Sequence, residues 1–251
     1  GNEEFKQAYR PLLPGISFIH YGALPDLNLI TSKTAAVFVE TIQGEAGIRV
    51  ADQAYFEALR KKCTDTGALL VFDEIQCGFG RTGKMFGFEH FNIVPDILLL
   101  AKGFGGGMPI GAFISSREIM ISLATNPILG HITTFGGHPV SCAAGLATLQ
   151  TILNEDIVAG VTEKGLLFKK LLKHPAIKEV RGIGLMIGIA FENFEINKKV
   201  IDACIADGLI SDWFLHCSNA MRVVPPLIIT EAEIEWACSI ILKNVEAIAR
   251  N

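Results

Sequence analysis

Three apolar runs in this sequence end on ionisable residues: AAVFVE closes on Glu40, ALLVFDEI carries Asp73 and Glu74, and DILLLAK closes on Lys102. One charged residue at a strand end is ordinarily just wet. Three on neighbouring strands point to a site, because a charge taken out of water demands a partner. Lys102 is followed by GFGGGMP, whose glycines let backbone approach a flat ligand closely. A lysine kept from water at such a place is a nucleophile that adds to a carbonyl. That chemistry fits a pyridoxal-type cofactor bound as an imine on Lys102. Asp73 is then the carboxylate that keeps the ring nitrogen protonated and the ring an electron sink.

A nucleotide-binding loop is the competing reading of CGFGRTGKMFG (77–87), with its glycines and Lys84. The phosphate-loop pattern needs Ser or Thr after the lysine to hold Mg²⁺. Met85 stands there, and Asp73 and Glu74 would face the polyphosphate. The stretch is instead expected to shape the site and a dimer contact, with Lys84 a solvated surface charge.

The elements that must position these residues alternate. AAVFVE (35–40), ALLVFDEI (68–75) and DILLLAK (96–102) read as strands covered on both faces, and IGAFISS (110–116) as a fourth. Between the first two, DQAYFEALRKKCTDTG (52–67) has helical spacing at Phe56, Leu59 and Cys63, with Asp52 as its cap and Gly67 as its stop. Strand, helix, strand at this spacing is a βαβ unit in a mostly parallel sheet. HPVSCAAGLATLQTIL (138–153) is a long helix of small residues. Beyond Asn154 the character changes. Amphipathic 163–174, strand-like 184–192, helical 197–208, a proline-broken strand over 220–229 and a closing helix over 231–250 suggest a small α+β domain. The chain therefore reads as α/β, with 1–154 belonging to a large helix-sandwiched domain and 155–251 forming a smaller one.

Composition removes other classes. Of 251 residues half are hydrophobic, the net charge is −4 and no basic run occurs, which argues against nucleic acid. No apolar run reaches the ~18 residues of a membrane span. EKGLLFKKLLKH reads as a solvated face rather than a membrane-surface helix. The six cysteines form no CxxC pair, as in reduced cytoplasmic proteins, and the six histidines lack metal-ligand spacing.

Five stretches in order, ETIQGEAG (40–47), VFDEIQCGFGRTGKMFGFE (71–89), PDILLLAKGFGGGMPIGA (95–112), TTFGGHPVSCAAG (133–145) and MRVVPPLIIT (221–230), resemble class III pyridoxal-phosphate aminotransferases of fold type I. This is the group of acetylornithine, ornithine and 4-aminobutyrate aminotransferases. The resemblance implies transfer of an amino group from an ω-amino donor, N-acetylornithine or ornithine, to 2-oxoglutarate. It also implies roles. Lys102 is the Schiff-base lysine and proton shuttle, and Asp73 the partner of the ring nitrogen. Gln76 bonds the phenolic oxygen, and Thr134 the cofactor phosphate of the neighbouring subunit in a homodimer. Arg222 is a fork for a substrate carboxylate, and Glu45 a gate that pairs with Arg222 and releases it. Glu40 is a supporting acid. An aminomutase or another pyridoxal enzyme of this fold is the alternative, as is an inert fragment. Thr41 stands where the family often has proline, taken as a minor departure. The family's chains extend further on the amino-terminal side, where a phosphate-binding glycine turn and a ring-stacking aromatic reside. The 251 residues alone are therefore expected to hold the cofactor weakly and not to turn over.

Overall fold

The computed structural model describes residues 2–250 and contains two four-stranded sheets. The first has the order Ala36–Glu40, Leu69–Asp73, Ile97–Leu100, Ala112–Ser115. Its first three strands are parallel and the last is antiparallel. Helix Gln53–Thr66 links the first two strands and sinks Tyr55, Phe56, Leu59 and Cys63 against Leu70, Phe72 and Phe91. Phe56 lies at the centre of this cluster, 4.1 Å from the Phe91 ring and 5.8 Å from Phe72. Asp52 occupies the helix cap position, but its side chain makes no capping bond.

The expectation that the first strand is covered on both faces does not hold. Val37 and Val39 pack on the helix, whereas Phe38 points the other way and is 70% exposed. An apolar run states that a strand can be covered twice; whether the chain supplies the second cover is a tertiary matter.

The second sheet is antiparallel, in the order Glu179–Ile183, Met186–Ala190, Cys217–Val223, Trp213–Phe214. Helices Val161–Leu171, Phe194–Ala206 and Glu231–Ala249 bury Phe168, Val200, Ile201, Ile234 and Ile241 against Ile187, Ile189 and Met221. Helix Phe194–Ala206 starts earlier than its periodicity suggests because the Asn193 side chain accepts from the Ile196 amide at 3.0 Å. Thr230 and Glu233 form a reciprocal capping box on the last helix. Strand Cys217–Val223 ends before Pro225, which has no N–H for the ladder.

The loop 78–83 joins the two sheets. Arg81 donates to the carbonyls of Leu185 (3.2 Å) and Pro225 (2.5 Å), and its own carbonyl accepts from the Leu185 amide. Buried Thr82 meets His90 Nε2 at 3.1 Å, and Lys84 is exposed. No helix among the described residues is long and apolar enough to cross a membrane.

Beyond the first sheet, Ile128, Leu129, Ile132 and Phe135 are all at least 70% exposed. With Phe38, they leave more large apolar side chains open to water than a soluble monomer ordinarily shows. The isolated chain is expected to bind a hydrophobic dye such as ANS and to gain mass with concentration in light scattering. A dye-silent monomer at all concentrations would contradict this.

Candidate active site

Parallel strands in register deliver their carboxyl ends to one edge. Glu40 lies opposite Asp73, Asp73 lies opposite Leu99, and Lys102 follows just beyond. Asp73 Oδ1 accepts from the Ile75 amide at 2.9 Å, the carboxylate's only hydrogen bond among the described residues. Lys102 opens a short helical turn, Lys102–Gly105, braced by Phe104 stacking on Phe79 at 5.5 Å. Its backbone is left-handed, with φ +48°. For a residue with a side chain that costs about 1–3 kcal/mol and persists only when its surroundings impose it.

The expected desolvation of Lys102 is not found. The residue is exposed and makes no hydrogen bond or ion pair among the described residues, because the turn carries it past the sheet edge where no other segment covers it. It does face Glu40 electrostatically.

Burial pushes the Glu40 carboxyl up, the Gly44 amide at 3.2 Å opposes this, Asp73 and Glu45 add to the rise, and Lys102 offsets part of it. A carboxyl raised on folding contributes stability that is fully present below its unfolded pKa and lost as pH rises through its folded one. Glu40→Gln is therefore expected to remove that loss and flatten the fall in melting temperature as pH rises above the ordinary carboxylate range. Thermal melts across that rise in pH check it; a steeper fall with pH in the variant would contradict it.

A second group sits where the two sheets meet. Arg222, on strand Cys217–Val223, places Nη2 2.8 and 3.0 Å from the two Glu45 oxygens. Glu45 also accepts from the Leu215 amide at 2.9 Å and from Gln76 Nε2 at 3.0 Å. Burial acts against the Glu45 charge, but the Leu215 amide, Gln76 and Arg222 outweigh it and hold the carboxyl below its ordinary range. Gln76 packs onto Gly44 so closely that a Cβ there would lie 2.3 Å from its Oε1, so a side chain at 44 would push the Gln76 amide from its place. Arg222 lies 4.8 Å over the Phe214 ring, and its Nε is buried without a hydrogen-bond partner among the described residues. Arg222 thus spends one nitrogen on Glu45 and keeps Nε and Nη1 for another acceptor.

Thr134 stands apart. It lies in an exposed stretch and lines an open cleft of about 570 Å³ with Pro109, Ile110, Gly111 and Phe135. None of its contacts is a hydrogen bond to Lys102, Asp73 or Gln76.

Glu74 has a different part from its neighbour Asp73. It is 1% exposed and accepts from Thr41 Oγ1 (2.7 Å), Gly87 N (2.8 Å) and Phe88 N (2.8 Å). Burial raises its carboxyl, and these donors partly restore it. Thr41 is fully buried on this bond, which a proline at that position could not make. Glu74→Ala strands three donors in the core and is expected to cost on the order of 3 kcal/mol or more in chemical denaturation. A loss below about 1 kcal/mol would show that water replaces the carboxylate.

The class-III aminotransferase family model matches residues 18–245. The chain belongs to that family. This class-III aminotransferase chain is 40% identical over 256 residues to the mitochondrial acetylornithine aminotransferase of Alnus glutinosa, covering 99% of this chain and 55% of that protein. It is 42% identical over 244 residues to the acetylornithine aminotransferase of Methanocaldococcus jannaschii, covering 92% of this chain and 58% of that one. Its fold matches the ornithine aminotransferase of Toxoplasma gondii ME49 with a TM-score of 0.92 at 32% identity, over 99% of this chain and 60% of that chain. A Toxoplasma gondii ornithine aminotransferase crystallised with oxidized glutathione, TM-score 0.91 and 31% identical over 99% of this chain and 60% of that one, has partial occupancy of PLP at its active site. The class-III chain thus spans between half and two thirds of the length of these relatives.

Proposed function

We propose that this chain forms part of a pyridoxal-phosphate-dependent aminotransferase that moves an amino group from an ω-amino donor, N-acetylornithine or ornithine, to 2-oxoglutarate. The observation that carries this reading is the Glu45–Arg222 pair beside the Glu40–Asp73–Lys102 edge. A cation that can be bared or neutralised, next to an amine and a carboxylate, suits an enzyme that alternates between an ω-amine donor, with no carboxylate on its reacting carbon, and a 2-oxo acid, which has one. The similarity to acetylornithine aminotransferases supports the choice of donor.

The residues present fit the cofactor. Lys102 Nζ has no competing partner, Asp73 has an oxygen unused by the protein, and Gln76 lies at the same edge. Lys102 would hold the cofactor covalently through Nζ, Asp73 would sit at the ring nitrogen, and Gln76 at the phenolic oxygen. When bound, the cofactor supplies an electron-withdrawing ring that stabilises negative charge on the substrate α-carbon. Once an incoming substrate amine displaces it from that bond, the freed Lys102 Nζ would take the proton from the amine-bearing carbon and return it, a shuttle that a flexible primary amine next to acids performs well. Arg222 would orient a carboxylate of the acceptor through two N–H groups once Glu45 withdraws. Glu40 holds charge balance at the edge.

Thr134, exposed on its own cleft, is read as reaching the cofactor phosphate of a second subunit in a homodimer. The division between 1–154 and 155–251 is read as that between large and small domains. Six free thiols among the described residues are compatible with a cytoplasmic setting.

The test is a completed subunit, with this chain joined behind the preceding segment of one of the acetylornithine aminotransferases above. It is expected to convert N-acetylornithine and 2-oxoglutarate to glutamate. A yellow, folded chimera that releases no glutamate with either N-acetylornithine or ornithine would overturn the substrate reading.

A further inference from the structure

Arg181 and Arg222 lie in one row of the second sheet. Each is in register with Gly188, from opposite sides. The loop that carries Glu45 is draped over this row: a Cβ on Gly188 would lie 3.3 Å from the Gly47 carbonyl oxygen. One end of the loop is gripped by Arg222, through the Glu45 carboxylate. The other end is gripped by Arg181, whose Nε donates to the Gly47 carbonyl. Arg181 Nη2 reaches Cys217 Sγ at 3.3 Å, on the strand that bears Arg222, and Nη1 meets Glu179 at 2.6 Å. Its side chain is only 11% exposed. Gly47 is left-handed, φ +84°, and a Cβ there would lie 2.6 Å from both Arg181 Nη2 and Cys217 Sγ. The loop is also tied by Gln76 Nε2 and the Leu215 amide to the Glu45 carboxylate, by the His216 amide to the Glu45 carbonyl and by the Gly44 amide to Glu40.

We propose that Arg181 is a positioning residue for the gate: by pinning Gly47 it sets the fraction of time that Glu45 stays closed on Arg222. Two of the guanidinium's donors, Nε on Gly47 and Nη2 on Cys217, hold the loop to its bed, so Glu45 leaves Arg222 by swinging its side chain rather than by lifting the loop. Loosening the Gly47 end adds a second way to open. The open fraction rises, and an anion that competes for Arg222 binds more tightly in proportion. The proposal rests on the gate reading of Glu45 and Arg222, and the experiment separates the two.

The probe is glutarate, a dicarboxylate that binds without chemistry, titrated into the cofactor-free chain and followed by the NMR signal of the buried Arg222 Nε–H. Arg222→Met is expected to abolish the saturable shift seen at neighbouring amides; unchanged glutarate affinity in that variant would refute the gate reading itself. Glu45→Gln is expected to tighten glutarate about tenfold by removing the competing charge. Arg181→Met is expected to tighten it about three- to tenfold, through the larger open fraction. Arg181→Lys, which keeps a charge but reaches fewer acceptors, falls between and decides the matter alone if the methionine variant is poorly folded. Gly47→Ala, which pushes on the same grip from the loop side, moves in the same direction. A merely structural role for Arg181 predicts weaker binding in every variant. Glutarate affinity equal to or weaker than the parent's in Arg181→Lys and Arg181→Met, alongside tightening in Glu45→Gln, would overturn the proposal while leaving the gate intact.

Discussion

Asp73→Ala in the completed subunit is expected to weaken pyridoxal phosphate binding by about 3 kcal/mol, roughly a hundredfold. Asp73 is half-buried at the end of the central parallel strand, between Glu40 and the Lys102 strand, and only the Ile75 amide uses it. A carboxylate held at such a sheet edge with one oxygen to spare can keep a ring nitrogen protonated. Without it, a cation would have to be bound at an edge where nothing answers its charge. The same substitution should slow α-proton removal more than it weakens binding, since the protonated ring matters most when carbanion charge develops. Cofactor affinity by equilibrium dialysis and a single-turnover rate with N-acetylornithine measure the two effects. Asp73→Asn should recover the shape but not the charge, and remain impaired. Transamination near the parent rate in either variant would remove Asp73 from the site.

Much of this arrangement was legible in the residue order. Apolar runs ending in Glu40, Asp73 and Lys102 mark parallel strands whose ends converge, and helix Gln53–Thr66 follows from its periodicity and from Gly67. The two acids at the end of the second run were harder to separate. Side chains alternate along a strand, and past its last residue Asp73 stays at the site edge while Glu74 turns into the core toward Thr41, 33 positions earlier. Glu45 and Arg222 are 177 positions apart, and nothing local announces their pairing; the likeness to a family did. Arg181 had no signal at all. It sits in a plain VRGIG stretch before a buried strand, and its importance comes from the row it shares with Gly188 and Arg222. The exposure of Phe38 and Lys102 was likewise out of reach, because periodicity reports what an element could bury and not what is present to cover it.

The second large effect concerns Lys102. Its left-handed backbone, which no other lysine among the described residues has, and its place beyond the Leu99 register pair set it apart from the other lysines. Lys84, in the glycine-rich loop, is an exposed residue; Lys164 and Lys169 donate to the carbonyls of Leu227 and Gly182. Lys102→Ala in the completed subunit is expected to lose roughly a hundred- to ten-thousand-fold in turnover, the range set by removing a positioned proton carrier. Lys102→Arg should rescue none of it, because a guanidinium neither adds to the aldehyde nor gives up a proton readily.

The most direct measurement needs no turnover. The completed subunit is incubated with excess pyridoxal phosphate, reduced with borohydride, digested and mapped by mass spectrometry. Peptides carrying Lys102 are expected to hold the label at higher occupancy than any other lysine, and the label should vanish in Lys102→Ala without moving to Lys84. A label spread evenly over the surface lysines, or concentrated on Lys84, would contradict the assignment of this edge as the cofactor site.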